Sequence, residues 1–291
     1  MKFDVIAGNP PYNKSRGEER DGKPQGQGAV LWDAFVVKSL DLLKDGGYLC
    51  YVHPQLWRKP EQEMWSLMTS HQIHHLDIHG EDDGRKTFGV GTRYDWYILQ
   101  KIAVKGATTV RSEDGVISKI DLREWNFLPN YMIDVIKSVM AIGTEERCEL
   151  IYSTAYHTQK EYTSDTKDSK FKYPCVHSLN SEENGGMVCR YSREKKTDHF
   201  GIPKVILTQA RYQRPLNDYK GDYGMTENVF GIAISSKREG DLIVSAINTP
   251  KFQEIIRATK WGNFRTDYKM FRAFKKDFWK QFMDENGNEL K

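Results

Sequence analysis

Short apolar runs punctuate the first hundred residues, and each stops at a residue that breaks a strand or a helix. Phe3 to Ala7 is the first, and it halts at Asn9-Pro10-Pro11-Tyr12. Two prolines remove ladder donors and exclude a helix, so the pattern predicts a buried strand followed by a stiff loop that presents Asn9 and Tyr12 at the strand's carboxyl end. Asn13 to Gly28 is almost free of apolar residues and reads as a mobile surface segment able to close over a substrate. Ala29 to Leu43 then sets Leu31, Phe35, Val36, Leu40 and Leu43 at helical spacing, with Lys44-Asp45-Gly46-Gly47 as the stop. Tyr48 to Val52 reads as a second strand ended by His53-Pro54, and Pro60 opens a second helix running to Ser70. Ile73 to Ile78 and Asp95 to Gln100 supply two more strands, separated by a glycine-rich polar loop that carries Phe88.

That order of strands and helices is half of a doubly wound α/β sheet. In open α/β sheets, ligands bind outside the carboxyl ends of the strands, where the Asn-Pro-Pro-Tyr loop would lie. Thr108 to Leu122 reads as a hairpin turning at Glu113-Asp114-Gly115, and Asn130 to Met140 as a helix. Thr144 to Asn184 is polar and reads as irregular. Lys204 to Leu207 and Val229 to Ile234 are strand-like and flank a basic, tyrosine-rich loop from Gln209 to Glu227, before helices at Glu239 to Ile247 and Pro250 to Thr259. The change of pattern places a boundary near residue 125, between a catalytic half (1–125) and an α+β recognition domain (126–291).

Composition narrows the class only a little. In 291 residues, 38% hydrophobic and 29% charged positions are ordinary for a globular protein, and a net charge of +3 announces no nucleic-acid binder. Its distribution says more, because Lys and Arg outnumber Asp and Glu from Arg190 onward and aromatics lie among them. The four cysteines, Cys50, Cys148, Cys175 and Cys189, form no C-x-x-C pair, and with His177 they make an incomplete zinc set. His71, His74, His75 and His79 crowd beside Asp77, Glu81, Asp82 and Asp83, but across a helix-to-strand boundary, which favours a solvated surface over a metal site. No leader and no apolar run near the roughly 20 residues of a membrane span occurs, so the chain reads as soluble, reduced and cytoplasmic, with no membrane partner.

With its preceding strand, the downstream strand ending in His53-Pro54 and Phe88 before another strand, Asn9-Pro10-Pro11-Tyr12 resembles the signature of S-adenosylmethionine-dependent amino-group methyltransferases. The likeness is greatest to adenine-N6 DNA methyltransferases of the TaqI (gamma) type. It covers Lys2 to Lys101 strongly and the remainder loosely, through the order of a catalytic region followed by a DNA-recognition region. The chemistry explains the residue types. An exocyclic amine conjugated to a ring is a poor nucleophile, and acceptors on both its N–H groups turn its lone pair toward a methyl donor. The Asn9 side-chain oxygen and the Pro10 carbonyl would be those acceptors, with Pro11 stiffening the loop and Tyr12 offering a stacking face to a flipped base. The resemblance implies Phe88 as a second face, and His53 and Pro54 as pocket lining.

It also implies double-stranded DNA as substrate, and the clustered cations Arg211, Arg214, Lys220, Arg265, Lys269 and Arg272 become DNA-binding candidates, with Tyr212, Tyr219, Tyr223, Trp261, Phe264 and Tyr268 beside them. The cofactor side is the weak point. TaqI-type enzymes carry the S-adenosylmethionine motif upstream of Asn-Pro-Pro-Tyr, where only eight residues stand here, and neither Gly26-Gln27-Gly28 nor Gly89-Val90-Gly91 follows a strand and opens a helix. The expectation is a cofactor site largely absent from this chain and a protein partner that supplies it. A truncated product, or a catalytically inactive DNA-binding remnant, would fit the same pattern. Methylation of RNA or of a protein glutamine is disfavoured by the long downstream region.

Overall fold

The computed structural model describes residues 2–13, 30–158, 161–180, 186–196, 198–209, 214–262, 265 and 267–290. The expected mobile segment 13–28 therefore lies outside the described residues except for Asn13. The chain divides into two compact units, Met1–Tyr131 and Met132–Lys291.

The first unit is built on an open six-stranded sheet of order β1-β2-β4-β3-β5-β6. Its strands are β1 (Phe3–Gly8), β2 (Leu43–Pro54), β3 (His71–His79), β4 (Tyr94–Ala103), β5 (Thr108–Arg111) and β6 (Ile117–Ile120). β1 runs parallel to β2 and β3 parallel to β5, whereas β4 lies antiparallel between β2 and β3, and β6 closes the expected hairpin. The sheet is thus mixed. Period-two burial explains β2, in which Leu49, Tyr51 and His53 are all buried and the residues between them are more exposed. Lys44 to Gly47 does not end a helix in solvent. It lies within β2 as a register shift opposite Phe3 to Val5, with Gly46 at φ +81°.

Two helices differ from expectation at their starts. The first, α1 (Trp32–Leu42), is shorter than predicted because Leu43 already pairs with Phe3. The second, α2 (Glu63–Thr69), begins after Pro60, which follows a 3-10 turn at Gln55–Arg58 and is itself buried. A third helix, α3 (Glu81–Phe88), replaces the predicted polar loop around Phe88. Three acids in its first turn and Arg85 and Lys86 in its last complement the helix dipole, and Gly89 at φ +73° ends it. Gly84 sits in its middle for a packing reason: a Cβ there would come within 2.0 Å of the Thr92 carbonyl oxygen.

The edge position of β1 has a consequence for solubility. The strand expected to be buried is not: no residue of β1 is buried, and Phe3 and Val5 are 38% and 57% exposed, because among the described residues the strand lies at the sheet edge and pairs only with β2. An apolar strand of this kind templates association. The isolated chain is expected to self-associate, and Val5→Lys to shift it toward monomer in sedimentation velocity at unchanged helix content. Equal association by both proteins would remove β1 as the cause.

The second unit contains α4 (Ile133–Val139), α5 (Lys237–Asn248), α6 (Pro250–Ala258) and two four-stranded sheets. The first sheet is β13 (Gly224–Met225), β9 (Tyr173–Leu179), β10 (Met187–Ser192) and β8 (Thr163–Ser164), in that order. The second is β12 (Leu216–Asp218), β11 (Lys204–Thr208), β14 (Val229–Ala233) and β7 (Leu150–Ile151). Strands therefore occupy both stretches read as irregular, 144–184 and 209–227. They are short, and β9 carries Pro174 and His177 within it, so no run of apolar residues marks them. Ser236 and Thr249 cap α5 and α6 by accepting the N–H of Glu239 and Phe252. Phe252, Phe271, Phe274 and Phe278 fill the core beside α6, with ring centroids 5.2 to 6.5 Å apart.

Candidate active site

The carboxyl ends of β1, β2 and β3 and the amino end of β4 meet at one end of the first sheet. Gly8 pairs with Tyr51, Pro54 with Tyr94, and His79 with Tyr94. The Asn9-Pro10-Pro11-Tyr12 loop leaves β1 there. Pro10 is buried, Asn9 and Pro11 are exposed, and Tyr12 is half-buried. Two contacts pin the far side of the loop: the Leu31 N–H donates to the Tyr12 carbonyl at 3.0 Å, and Asn13 bridges to Val30.

The Tyr12 hydroxyl is shut off from solvent and makes no well-formed hydrogen bond among the described residues, although the Asn9 side chain lies beside it. Burial, reinforced by the neighbouring Tyr94 phenol, pushes its pKa up to about 12. Tyr12 is thus a neutral ring at physiological pH. Tyr94 links it to the rest of the site. The Tyr94 ring stacks on His79 at 4.5 Å and 4°, and meets Phe88 edge-on at 5.0 Å. Its hydroxyl donates to Asp83, which also accepts from His79 at 2.9 Å. That bond from Tyr94 is the first cause holding the Asp83 carboxyl below the usual range. Phe88, half-buried at the end of α3, and Tyr12, on the loop after β1, therefore both neighbour Tyr94.

The sequence does not mark Tyr94, and it presents His79 and Asp83 only as members of a solvated cluster, whereas both contact Tyr94 here. Tyr94 stands between Arg93 and Asp95 and reads as a strand-end aromatic; its partners become visible only once 81–88 is a helix. The other three crowded histidines go to separate partners: His71 to the Leu67 carbonyl, His74 to Gln100 and His75 onto the Trp96 ring.

His53 is fully enclosed, stacked on Trp32 at 4.4 Å, while Pro54 keeps partial exposure. Nδ1–H donates to the Pro54 carbonyl at 3.0 Å and Nε2 accepts from the Tyr97 hydroxyl at 3.2 Å, an arrangement that fits the neutral ring. Burial lowers its pKa from 6.5 to about 4. The unfolded chain therefore binds a proton below pH 6.5 that the folded chain refuses until about pH 4. His53 stabilises the fold fully above pH 6.5, and stability falls as pH drops through that window, by about 3 kcal/mol in all. Urea titrations at several pH values check this: His53→Phe is expected to flatten the fall between pH 6.5 and 4, and an unchanged slope would exclude His53 as its source.

The proposed DNA cations are scattered. Arg211, with Tyr212 and Phe264, lies outside the described residues. Arg214 is exposed, Lys220 lies 5.6 Å over the Tyr219 ring, and Arg265 reaches Asn228 at 3.5 Å. Lys269 is half-buried and Arg272 exposed within the 3-10 turn Tyr268–Ala273. Two aromatics expected among them face inward: Trp261 is 3% exposed, and Tyr268 stacks on Tyr152 at 4.4 Å. They are not free to stack on bases.

Residues 1–82 match the family described as Eco57I restriction-modification methylase. An uncharacterized adenine-specific methylase of Mycoplasma pneumoniae is 47% identical over 57 residues, a stretch that is 20% of this chain and 12% of the relative. The N-terminal segment is homologous to restriction-modification methylases. Among solved structures, the type IIL restriction-modification enzyme MmeI in complex with DNA is similar over 92% of this chain and 46% of its own, with a TM-score of 0.50 at 10% identity, which is a likeness of fold. The type IIG restriction endonuclease BpuSI covers 84% of this chain and 41% of its own at a TM-score of 0.32 and 8% identity. This chain spans about one-eighth of the curated relative and less than half of either enzyme. Among the described residues, no helix is long and apolar enough to cross a membrane.

Proposed function

We propose that this chain provides the base-holding half of an adenine-N6 DNA methyltransferase. The observation that carries the reading is the placement of Asn9-Pro10-Pro11-Tyr12 at the carboxyl ends of the parallel strands, with Phe88 at the same end through their shared neighbour Tyr94. A flipped adenine would lie against Tyr12 and Phe88, its amine donating to the Asn9 oxygen and the Pro10 carbonyl. Held in this way, the nitrogen directs its lone pair out of the ring plane. Tyr12 remains a neutral phenol, so stacking and not proton transfer is its part, and the methylated nitrogen releases its proton to water.

The described residues do not fit the cofactor. Of the two G-x-G strings, residues 26–28 lie outside them, and Gly89-Val90-Gly91 joins α3 to β4 instead of a strand to a helix. S-adenosylmethionine would be held by a complementing segment, in a partner or in a longer chain, added at the open edge of β1. The Arg211, Arg214, Lys220, Arg265, Lys269 and Arg272 set belongs to this reading as contacts of the recognition unit. Labelled methyl transfer to duplex adenine, by the full chain with and without the product of the adjoining reading frame, tests it. Incorporation is expected only with the complement, and Asn9→Ala should lower it sharply. Absence of transfer with every complement that binds β1 would overturn the reading.

A further inference from the structure

The second unit carries a bed of aromatic rings covered by cations, between Tyr156 and Phe200, that the cation clusters in the sequence did not single out. Lys170 Nζ and the Arg193 guanidinium lie over the Phe171 ring, 5.7 and 5.0 Å from its centroid. Lys172 and Lys195 lie over Tyr173 at 6.0 and 5.6 Å, and Lys195 is also 5.5 Å from Phe200. Lys196 lies 5.9 and 5.1 Å from Tyr156 and Tyr162. Tyr173 and Tyr156 each contact Phe200, at 6.3 and 5.9 Å, so Lys172, Lys195 and Lys196 share one floor, while Phe171, two residues before Tyr173 in the chain, carries Lys170 and Arg193.

The acids nearby are occupied or distant. Asp168 accepts the backbone N–H groups of Lys170 and Phe171, Asp165 pairs with Arg190, and Glu194 comes only within 3.9 Å of Lys196. Among the described residues, Lys170, Lys172, Arg193 and Lys195 have no carboxylate in ion-pair reach. Packing alone does not call for this. The alkyl stems would cover the rings equally well with neutral heads, whereas like charges side by side repel.

We propose that this bed binds the phosphate backbone of duplex DNA. The assignment rests on the DNA reading of the first unit and adds to it a place on the second. The ring faces are already taken by cations, which disfavours base stacking and leaves charge-assisted contacts to phosphate oxygens. The same covering removes the apolar anchors that a protein partner would need. The bed positions the duplex and carries no sequence preference.

Fluorescence anisotropy of a labelled mixed-sequence duplex, titrated with full-length chain between about 50 and 200 mM salt, is the test. The variant Lys172→Gln, Arg193→Gln, Lys195→Gln keeps the stems over the rings and removes three charges. Its log affinity against log salt is expected to be shallower by about 2.7, at about 0.9 per lost phosphate contact. Lys172→Gln alone should lower the slope by about 0.9 and guards against misfolding of the triple variant. Lys251→Gln with Lys280→Gln, two cations over rings elsewhere in the unit, should leave the slope unchanged. A wild-type slope in the triple variant overturns the bed while leaving the DNA reading standing. Absence of duplex binding by wild type overturns both. Tighter binding of single-stranded DNA or polyglutamate than of duplex, lost in the triple variant, overturns the assignment to duplex.

Discussion

Asp95→Ala is expected to destabilise the first unit by about 3–5 kcal/mol, the cost of leaving one half of a buried ion pair unpaired. Asp95 and Arg58 are both fully buried, and Asp95 Oδ2 accepts from Arg58 Nε at 2.7 Å and from Trp57 Nε1 at 2.8 Å. The remaining guanidinium donors go to Gln55, Asn130 and the carbonyls of Leu128 and Pro129, all within 2.7 to 3.0 Å. Removing the carboxylate strands a cation that holds the turn after β2 to the segment at 128–130. Against a typical domain stability of about 5–15 kcal/mol, that loss leaves a marginal unit. Urea unfolding followed by tryptophan fluorescence reads it directly. A paired Arg58→Met, Asp95→Leu variant should be less damaged than Asp95→Ala, because no charge is left orphaned. A single-variant loss below about 1 kcal/mol would show that the pair is not the anchor inferred here.

For the reaction, Asn9→Ala is expected to lower methyl transfer by the complemented enzyme by about 10²–10³-fold, the usual cost of losing one group that stabilises developing charge. Duplex affinity should stay level, since Asn9 is exposed and supports no packing. Tyr12 separates ring from hydroxyl. Tyr12→Ala removes a stacking face, about 1–3 kcal/mol per base. Tyr12→Phe keeps the face and discards a hydroxyl that has no well-formed partner, so it should be nearly silent in activity and neutral or slightly favourable in stability. Single-turnover assays at saturating duplex resolve the three variants. Full activity in Asn9→Ala, or a Tyr12→Phe defect as deep as that of Tyr12→Ala, would remove these roles.

Much of the first sheet could be read from the chain because β1, β4 and the second half of β2 each contain a short apolar run with a clear stop. Asn9-Pro10-Pro11-Tyr12 was visible for the same reason: two consecutive prolines after a strand leave few conformations open. The pair Arg58 and Asp95 was not visible, since 37 residues separate them and isolated charges read as surface. α3 was hidden by Gly84, which breaks a helical pattern locally yet is required by the nearby Thr92 backbone. In the second unit, β8 and β9 are too short or too polar to show periodicity. Basic residues are densest among tyrosines toward the C-terminus, but there Trp261 is buried and the Tyr268 ring is stacked on Tyr152. The cation-covered rings instead lie on strands and turns that carry acids in between.

The close approach at Gly84 fixes more than a helix. Because the main chain of α3 at Gly84 touches the main chain at Thr92, the spacing between the middle of the helix and the loop that leads into β4 is set by backbone thickness and not by side-chain size. Any side chain at position 84 would have to push α3 away from that loop, and Phe88, at the end of the helix, would be carried with it.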